Sequence, residues 1–226
     1  MAATHIARES KSVTEYYRPT QTEILRFVPT TAQRILDLHC GQGTLGATLK
    51  ERTGAEVWGI ESDSQAAQQA SAAIDRVLVG TVAERIAELP DNHFDVIVCN
   101  DVLERLVDPT ATLKQLRCKL TSEGVVVAAV PNIRFLPALS KVLFRKDFPQ
   151  EDFGTFDRTY IRFFTRRSLV RLFKTSGFGV RRIAGINAWN GAIGVALAVL
   201  TLGYFADGRY LQYACIASPS ASKPTS

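Results

Sequence analysis

Short apolar runs alternate with helix-like segments along the chain from Arg34 onward. Their spacing predicts strands separated by helices. The runs are RILDL (34–38), EVWGIE (56–61), RVLV (76–79), FDVIVCN (94–100) and GVVVAAV (124–130), and the helix-like segments are TLGATLKER (44–52), SQAAQQASAAI (64–74) and DPTATLKQLRCKL (108–120). The last three runs are apolar throughout, as in parallel strands buried on both faces. The alternation therefore predicts βαβ units.

The rhythm breaks after Val130, where aromatic and basic residues crowd the chain up to residue 164. A helix (166–177) and two strands (179–186 and 211–218) are predicted to follow. The stretch 191–205 is apolar but shorter than the roughly 20 residues that span a bilayer. It therefore predicts a buried helix, with a helix lying on a membrane as the alternative. The polar tail 218–226 is predicted to be disordered.

Length and charge refine this picture. A chain of 226 residues, 46% of them hydrophobic, is typical of one domain, predicted here over residues 1–217. The formal net charge is +5, and residues 134–182 carry twelve Lys or Arg against four Asp or Glu. This excess predicts a basic face, for which two interpretations stay open: solvated helix surfaces, or a site for an anionic substrate or a membrane surface.

Cysteine spacing and the N-terminus bear on the compartment. The four cysteines stand singly, without the paired spacing of a zinc or redox site. Residues 1–17 lack the apolar core of a secretory signal. These features predict a reducing environment, the cytoplasm, and no metal site.

A glycine-rich turn follows the first predicted strand. Gly41, Gly43 and Gly46 form G-x-G-x-x-G at the start of a helix, and Glu61 ends the next strand. Such glycines let the backbone approach a ligand, and Glu61 can accept hydrogen bonds from ribose hydroxyls. Asp37, four residues before Gly41, would repel a pyrophosphate but attract an ammonium group. The turn therefore favours a ribose-bearing cofactor with an amino-acid moiety, and NAD is the alternative.

Five quoted segments resemble the class I S-adenosylmethionine-dependent methyltransferases of the small-molecule type. In order, ILDLHCGQG resembles the family's first motif, GIESD its ribose-binding strand end, LPDNHFDVIVCNDVLERLVDP its fourth strand and loop, and LTSEGVVVAAVPN its fifth strand. DRTYIRFFTRRSLVRLFKTSGF is similar to a segment of bacterial methyltransferases that modify glycans or lipid-linked sugars. The likeness runs from about Tyr16 to Ala217.

The resemblance implies a Rossmann-like, doubly wound α/β fold. Its sheet would have seven strands, mostly parallel with an antiparallel last strand, and helices on both faces. The cofactor would be S-adenosylmethionine, bound across the carboxyl ends of the strands.

The resemblance also carries cofactor-binding roles onto individual positions. Asp37, Cys40, Gly41, Gly43 and Asn100 would hold the methionine part, Glu61 the ribose and Ser62 the adenine side, while Tyr16 or Tyr17 closes the pocket. Three positions depart from the family pattern: His39 replaces a glycine, Thr81 replaces an acid that meets the adenine, and Arg105 replaces a frequent histidine. A positive φ at residue 39 would make histidine costly there.

The expected reaction is methyl transfer to a small-molecule, glycan or lipid-linked acceptor at oxygen. The acceptor side is assigned to Asn132, Asp157, Tyr160 and Arg162, and residues 131–165 are predicted to form a partial lid. The structural alternatives are that Asp157 pairs with Arg158 and that Tyr160 packs in the core.

The cations of the predicted lid bear on the choice of partner. They are Arg134, Lys141, Arg145, Lys146 and Arg162. They suit an anionic acceptor such as a nucleotide sugar or lipid phosphate, and contact with a membrane surface. A nucleic-acid acceptor would also use a basic face, but the sequence contains no Asn-Pro-Pro-Tyr tetrad or separate RNA-binding module, so nucleic acid is not expected. A non-catalytic binding module and a nicotinamide-dependent oxidoreductase are the alternative functions.

Overall fold

A seven-stranded sheet organises the computed structural model, which describes residues 23–189 and 199–220. The strands are β1 (Arg34–Leu38), β2 (Glu56–Glu61), β3 (Arg76–Val79), β4 (Phe94–Asn100), β5 (Leu120–Pro131), β6 (Phe178–Ala188) and β7 (Tyr210–Pro219). Their order in the sheet is β3-β2-β1-β4-β5-β7-β6. The first five pair in parallel, and β7 is antiparallel to both of its neighbours. The predicted sheet, with its antiparallel last strand, is confirmed.

Helices cover both faces of the sheet. They are α1 (Thr44–Thr53), α2 (Ser64–Ala70), α3 (Val82–Arg85), α4 (Pro109–Lys119), α5 (Leu136–Phe144) and α6 (Arg166–Thr175), with 3₁₀ turns at Leu25–Phe27, Ile86–Glu88 and Ala206–Arg209. Alternate residues of β1 point to opposite faces. Leu36 belongs to one hydrophobic cluster with Leu113 of α4 and Leu169 of α6, whereas Ile35 belongs to the other with Leu49 of α1.

Strand order places a crevice beside β1. The chain runs outward from β1 to β2 and β3 and then returns to β4 on the other side of β1. In open α/β sheets, ligands bind where the order reverses in this way, outside the carboxyl ends of the strands. The residues that follow β1, β2 and β4 therefore surround the expected site.

Three expectations need correction. β3 is apolar but not buried on both faces, because it is the edge strand, and Arg76 and Val79 are exposed. The predicted burial of the 191–205 stretch is wrong where the structure describes it, since Leu200 is 80% and Leu202 98% exposed. Residues 190–198 lie outside the described residues. β7 continues to Pro219, so residues 218 and 219 of the expected tail are strand, and 221–226 lie outside the described residues.

Two further observations concern the whole described chain. All four cysteines are free thiols. Within residues 23–189 and 199–220, no helix combines the length and the apolar character needed to cross a membrane.

Candidate functional site

The glycine-rich turn after β1 depends on left-handed backbone conformations. His39, Gly41 and Gly43 have φ of 59°, 55° and 81°, and the N–H of Gly43 donates to the carbonyl of Cys40 at 2.9 Å. A Cβ at Gly43 would lie 2.9 Å from the Cα of Ala70, so only glycine fits there. A Cβ at Gly41 would meet nothing within 4 Å, because that position faces open space. His39 thus occupies a conformation that favours glycine.

Glu61, at the end of β2, is buried and accepts four hydrogen bonds. Its Oε2 accepts from the N–H of Gly41 at 2.8 Å and lies 3.2 Å from Nδ1 of His39. Its Oε1 accepts from the N–H of Asp63 at 2.9 Å and the hydroxyl of Ser62 at 3.3 Å. Burial raises the pKa of Glu61, but the hydrogen bonds from His39, Asp63 and Gly41 outweigh it and lower the pKa to about 2. Glu61 is therefore a stable carboxylate.

Asp37, near the end of β1, has the opposite behaviour. Burial raises the pKa of its carboxyl group to about 7, although the neighbouring His39 opposes the shift. Among the described residues, nothing hydrogen-bonds to its Oδ2. A buried carboxyl oxygen without a donor is well suited to receive a cationic or hydrogen-bonding ligand group.

A cleft of about 290 Å³ lies between this turn and the end of β4. One wall is the turn, including His39 and Gly41, and the other is formed by Asn100, Asp101 and Arg105. Cys40, Gln42 and Thr44 complete the lining. Oδ1 of Asn100 and Oδ2 of Asp101 are buried, and apart from the Glu104 carboxyl group beside Asp101 no donor from the described residues reaches them. The end of β4 thus contributes polar acceptor atoms to this wall of the cleft.

A cluster of buried carboxyl groups adjoins the β4 side of the cleft. Asp101, with a φ of 53°, accepts a 2.6 Å hydrogen bond from Nε2 of Gln212. Burial raises its pKa to about 6, against the opposing effects of Gln212 and Arg105. Burial and the charge of Asp101 raise the pKa of Glu104 well above its usual range. Both carboxyl groups therefore hold their protons more strongly than an exposed carboxyl group does.

Arg105 connects this cluster to the predicted lid. Its guanidinium lies 3.3 Å from a carboxylate oxygen of Asp157 and 4.8 Å from the ring centre of Tyr160. The backbone carbonyl of Glu104 accepts hydrogen bonds from the N–H groups of residues 161 and 162. Asp157 and Tyr160 are thus buried against Arg105, which lines the cleft, but do not line it themselves. Asp157 pairs with Arg105, while Arg158 pairs with Asp152.

Asn132 and Arg162 lie elsewhere. Asn132 is fully buried, and its amide donates to the carbonyls of Asp207 and Tyr210, both at 3.0 Å. Arg162 donates from Nε to the carbonyl of Leu106 at 3.0 Å. Both side chains hold loops at the carboxyl edge of the sheet, and neither lines the cleft.

The remaining predicted residues are placed as follows. Ser62 reaches Glu61, whereas the Thr81 hydroxyl caps α3 by accepting from the N–H of Glu84 at 3.3 Å. Tyr16 and Tyr17 lie outside the described residues. Of the lid cations, Arg134 pairs with Asp207 and Lys141 with Glu151, while Arg145 and Lys146 are exposed after α5.

Sequence reasoning missed part of the site. Asp101 directly follows a predicted strand, at the edge where ligands bind, and that position is a signal which could have identified it. Gln42 and Thr44 could have been found as neighbours of the glycines. Nothing local marks Glu104, because its burial results from the chain around residue 161 packing over it. Among the described residues, no group of His, Cys, Asp and Glu is arranged to hold a metal ion.

Comparisons with known proteins identify the family of the chain. Residues 13–183 match the family model described as "Methyltransferase domain". A ubiquinone biosynthesis O-methyltransferase from Aeromonas salmonicida is 26% identical over 164 residues, 69% of this chain and 66% of that protein. One from Pseudomonas entomophila is 33% identical over 92 residues, 38% of this chain and 39% of that protein. The chain thus spans less than two thirds of the length of these curated relatives.

Solved structures share the fold. A S-adenosylmethionine-dependent methyltransferase from Archaeoglobus fulgidus superposes with a TM-score of 0.62 at 20% identity, covering 87% of this chain and 91% of that one. One from Mesorhizobium loti has a TM-score of 0.61 at 16% identity, covering 88% and 97%. At these identities the likeness establishes the fold alone.

Proposed function

This chain belongs to the family of S-adenosylmethionine-dependent methyltransferase domains, and we propose that it transfers the methyl group to a hydroxyl oxygen of a small-molecule acceptor. The observation that carries the proposal is the composition of the cleft, where the glycine-rich turn faces Asp101. One wall suits the cofactor and the other offers a carboxyl group with a pKa of about 6. The relatives named O-methyltransferases support oxygen as the acceptor atom.

The glycine-rich turn and the two carboxyl groups beside it fit S-adenosylmethionine. Glu61 is ionised and would accept from the ribose hydroxyls, while the free oxygen of Asp37 would receive the ammonium group. The open space at Gly41 leaves room for close approach to the backbone. When bound, the cofactor supplies a methyl group on a positively charged sulfur. The residues around the cleft then have to align the acceptor and exclude water.

On the second wall, Asp101 is the group that would receive the acceptor's proton. Its pKa of about 6 leaves it largely ionised at pH 7, and the best general base has a pKa near the working pH. Gln212 fixes one of its oxygens, and the other has no donor in the described chain other than the carboxyl group of Glu104. That second oxygen is buried at the cleft wall, so proton transfer would require the acceptor hydroxyl to enter far enough to contact it.

The sequence-predicted acceptor residues take supporting roles in this proposal. Asp157 and Tyr160 hold the guanidinium of Arg105 at the cleft, where it would attract an anionic acceptor. Asn132 and Arg162 hold the loops that border the same edge. Among acceptors, a nucleotide sugar or a lipid phosphate would use the positive charge of Arg105 and of the exposed Arg145 and Lys146.

Calorimetric titration tests the cofactor half of the proposal. We expect S-adenosylmethionine and S-adenosylhomocysteine to bind with micromolar dissociation constants, on the order of −8 kcal/mol, and NADH not to bind. Binding of NADH without either adenosyl ligand would reverse the assignment and favour an oxidoreductase.

Transfer of a tritiated methyl group tests the chemistry. The probes are 3,4-dihydroxybenzoate, the shape-matched 3,4-diaminobenzoate and UDP-glucose. Asp101→Asn should reduce kcat by about 10²-fold or more and leave the affinity for S-adenosylhomocysteine unchanged. Asp108→Asn is the matched control, because Asp108 caps α4 and asparagine caps equally well. Methylation of the diamine alone would contradict oxygen as the acceptor, and full activity of Asp101→Asn would contradict the base.

A further inference from the structure

An exposed apolar surface lies beside α5. A groove of about 540 Å³ runs between α5 and the side chains of Trp189 and Phe205. Two of the residues that line it, Leu143 and Phe144, are exposed, and the chain just before Phe205 exposes Val199, Leu200, Leu202 and Tyr204. We call these six side chains the apolar rim. Phe144 is 84%, Leu200 80% and Leu202 98% exposed. Exposed apolar side chains in this number on a folded domain mark an interaction site.

A cationic cleft adjoins the groove. It has a volume of about 390 Å³ and is lined by Arg134, Thr165, Arg166, Arg167, Tyr204 and Asp207. Arg134 is neutralised by Asp207, with Nε 2.8 Å from a carboxylate oxygen. Arg166 and Arg167 are exposed and form no ion pair with the described part of the chain. The cleft therefore carries an uncompensated positive charge.

Tyr204 and Phe205 separate the two compartments. The Tyr204 ring borders the cationic cleft, and the Phe205 ring borders the apolar groove, with 5.1 Å between ring centres. An apolar compartment and a positive one thus lie side by side. This arrangement complements a molecule or surface that is apolar on one side and anionic on the other.

The position of this surface in the fold relates it to the reaction cleft. α5 follows the carboxyl end of β5, and the turn Ala206–Arg209 precedes the antiparallel strand β7. Both therefore lie at the carboxyl edge of the sheet, the edge that also carries the cleft. The apolar rim therefore lies at the same edge of the sheet as the cleft, and docking through it would leave the opposite edge uncovered.

We propose that the apolar rim and the cationic cleft dock this chain onto a bilayer that contains anionic phospholipids. Apolar side chains would enter the headgroup boundary, and Arg166 and Arg167 would contact headgroup phosphates. A second copy of the chain fits less well, because two such surfaces facing each other would bring the same positive charges together. The proposal concerns location rather than chemistry, and it holds whichever acceptor is methylated.

Flotation of the full chain with vesicles tests the proposal. One set of vesicles is phosphatidylcholine alone, and the other is an equal mixture of phosphatidylcholine and phosphatidylglycerol. We expect binding to the mixed vesicles only. Arg166→Glu with Arg167→Glu should weaken it by more than about tenfold, since each basic side chain near an anionic surface contributes about 1 kcal/mol. Leu200→Ser with Leu202→Ser should weaken it comparably, because these side chains provide the apolar contact.

Matched variants control for charge and hydrophobicity. Arg171→Glu with Lys174→Glu changes the same charge on exposed positions of α6, and Val79→Ser with Val107→Ser removes exposed apolar side chains elsewhere. Both should bind as the wild type does. Thermal melting checks the fold of every variant, and the arginine pair keeps the test valid if the leucine pair unfolds. The proposal would be overturned by equal binding to neutral vesicles, by no binding to either kind of vesicle, or by loss of binding in both control pairs. It would also be overturned if the chain formed dimers without vesicles and Leu200→Ser with Leu202→Ser abolished them.

Discussion

Replacing His39 with glycine should strengthen cofactor binding. The imidazole Nδ1 lies 3.2 Å from Oε2 of Glu61, and the His39 side chain is 40% exposed. With the Gly41, Asp63 and Ser62 donors, this contact brings four donors to two carboxylate oxygens, about the number that a carboxylate can accept. Ribose hydroxyls therefore have to displace a donor. The backbone donors are fixed, so His39 and the weaker Ser62 contact must give way.

The magnitude follows from the exposure of the histidine. A hydrogen bond to a charged group contributes about 1.5–3 kcal/mol, but an ion pair open to solvent contributes about 1 kcal/mol or less. Loss of a competing contact of about 1 kcal/mol should tighten S-adenosylhomocysteine binding by about fivefold. Stability should change little, because relief of a left-handed residue gains about 1–2 kcal/mol while glycine costs about 0.5–1 kcal/mol of entropy.

The pH dependence gives an independent check. Glu61 has a pKa of about 2 and stays ionised above pH 5. Asp37 titrates between pH 5.5 and 8, since burial raises its pKa to about 7. Affinity should therefore fall on acidification in the wild type and in His39→Gly alike, because both keep the Asp37 carboxyl group that would meet the ammonium group.

Calorimetric titrations with S-adenosylhomocysteine between pH 5.5 and 8 measure both effects. His39→Ala is the control, because it removes the donor but keeps a side chain at the φ of 59°. It should bind as His39→Gly does and melt at a lower temperature. If both variants bind more weakly than the wild type, the imidazole is itself a cofactor ligand and the reasoning is refuted.

Two further predictions concern the same strand ends. Gly43→Ala should lower the free energy of unfolding by about 1–3 kcal/mol, in line with strained backbone, because its Cβ would lie 2.9 Å from Ala70. Gly41→Ala should melt closer to the wild type but lose affinity for S-adenosylhomocysteine. Similar melting temperatures of the two variants would contradict the packing argument. Asp37→Asn should gain thermal stability over the wild type as the pH rises from 5 to 8. The folded pKa of Asp37 is about 7, so the folded chain keeps a proton that the unfolded chain has released. Raising the pH removes this proton and destabilises the wild-type fold, but not the variant. A constant difference in melting temperature across this range would show that Asp37 does not titrate there.

Much of the sheet could be predicted because its strands are decided locally. β1, β2 and β4 begin and end where the apolar runs do, since burial on both faces demands unbroken apolar sequence. Asp108 could be identified as the cap of α4, and its carboxylate accepts from the N–H of Ala111 at 2.9 Å. A cap is a contact between neighbours in sequence, so local residues suffice to predict it.

Features that depend on distant packing could not be predicted. RVLV is as apolar as a central strand, yet β3 lies at the sheet edge, because strand order is a property of the whole chain. The apolar stretch at 199–205 is exposed, since composition does not say what covers a segment. Arg105 and Asp157 pair across 52 residues, and no local pattern records that distance.

Hydrogen-bond donors explain why carboxyl groups within one site behave so differently. Glu61 and Asp37 are both buried near the same turn, yet the pKa of Glu61 is about 2 and that of Asp37 about 7. The difference lies in the donors: His39 and the N–H groups of Gly41 and Asp63 reach Glu61, while Oδ2 of Asp37 receives no hydrogen bond from the described residues. A fixed carboxylate suits neutral hydroxyls, and a carboxyl group that ionises near neutral pH suits an incoming cation. In the proposed site, the two adjacent carboxyl groups would thus meet the two chemically different ends of the same cofactor.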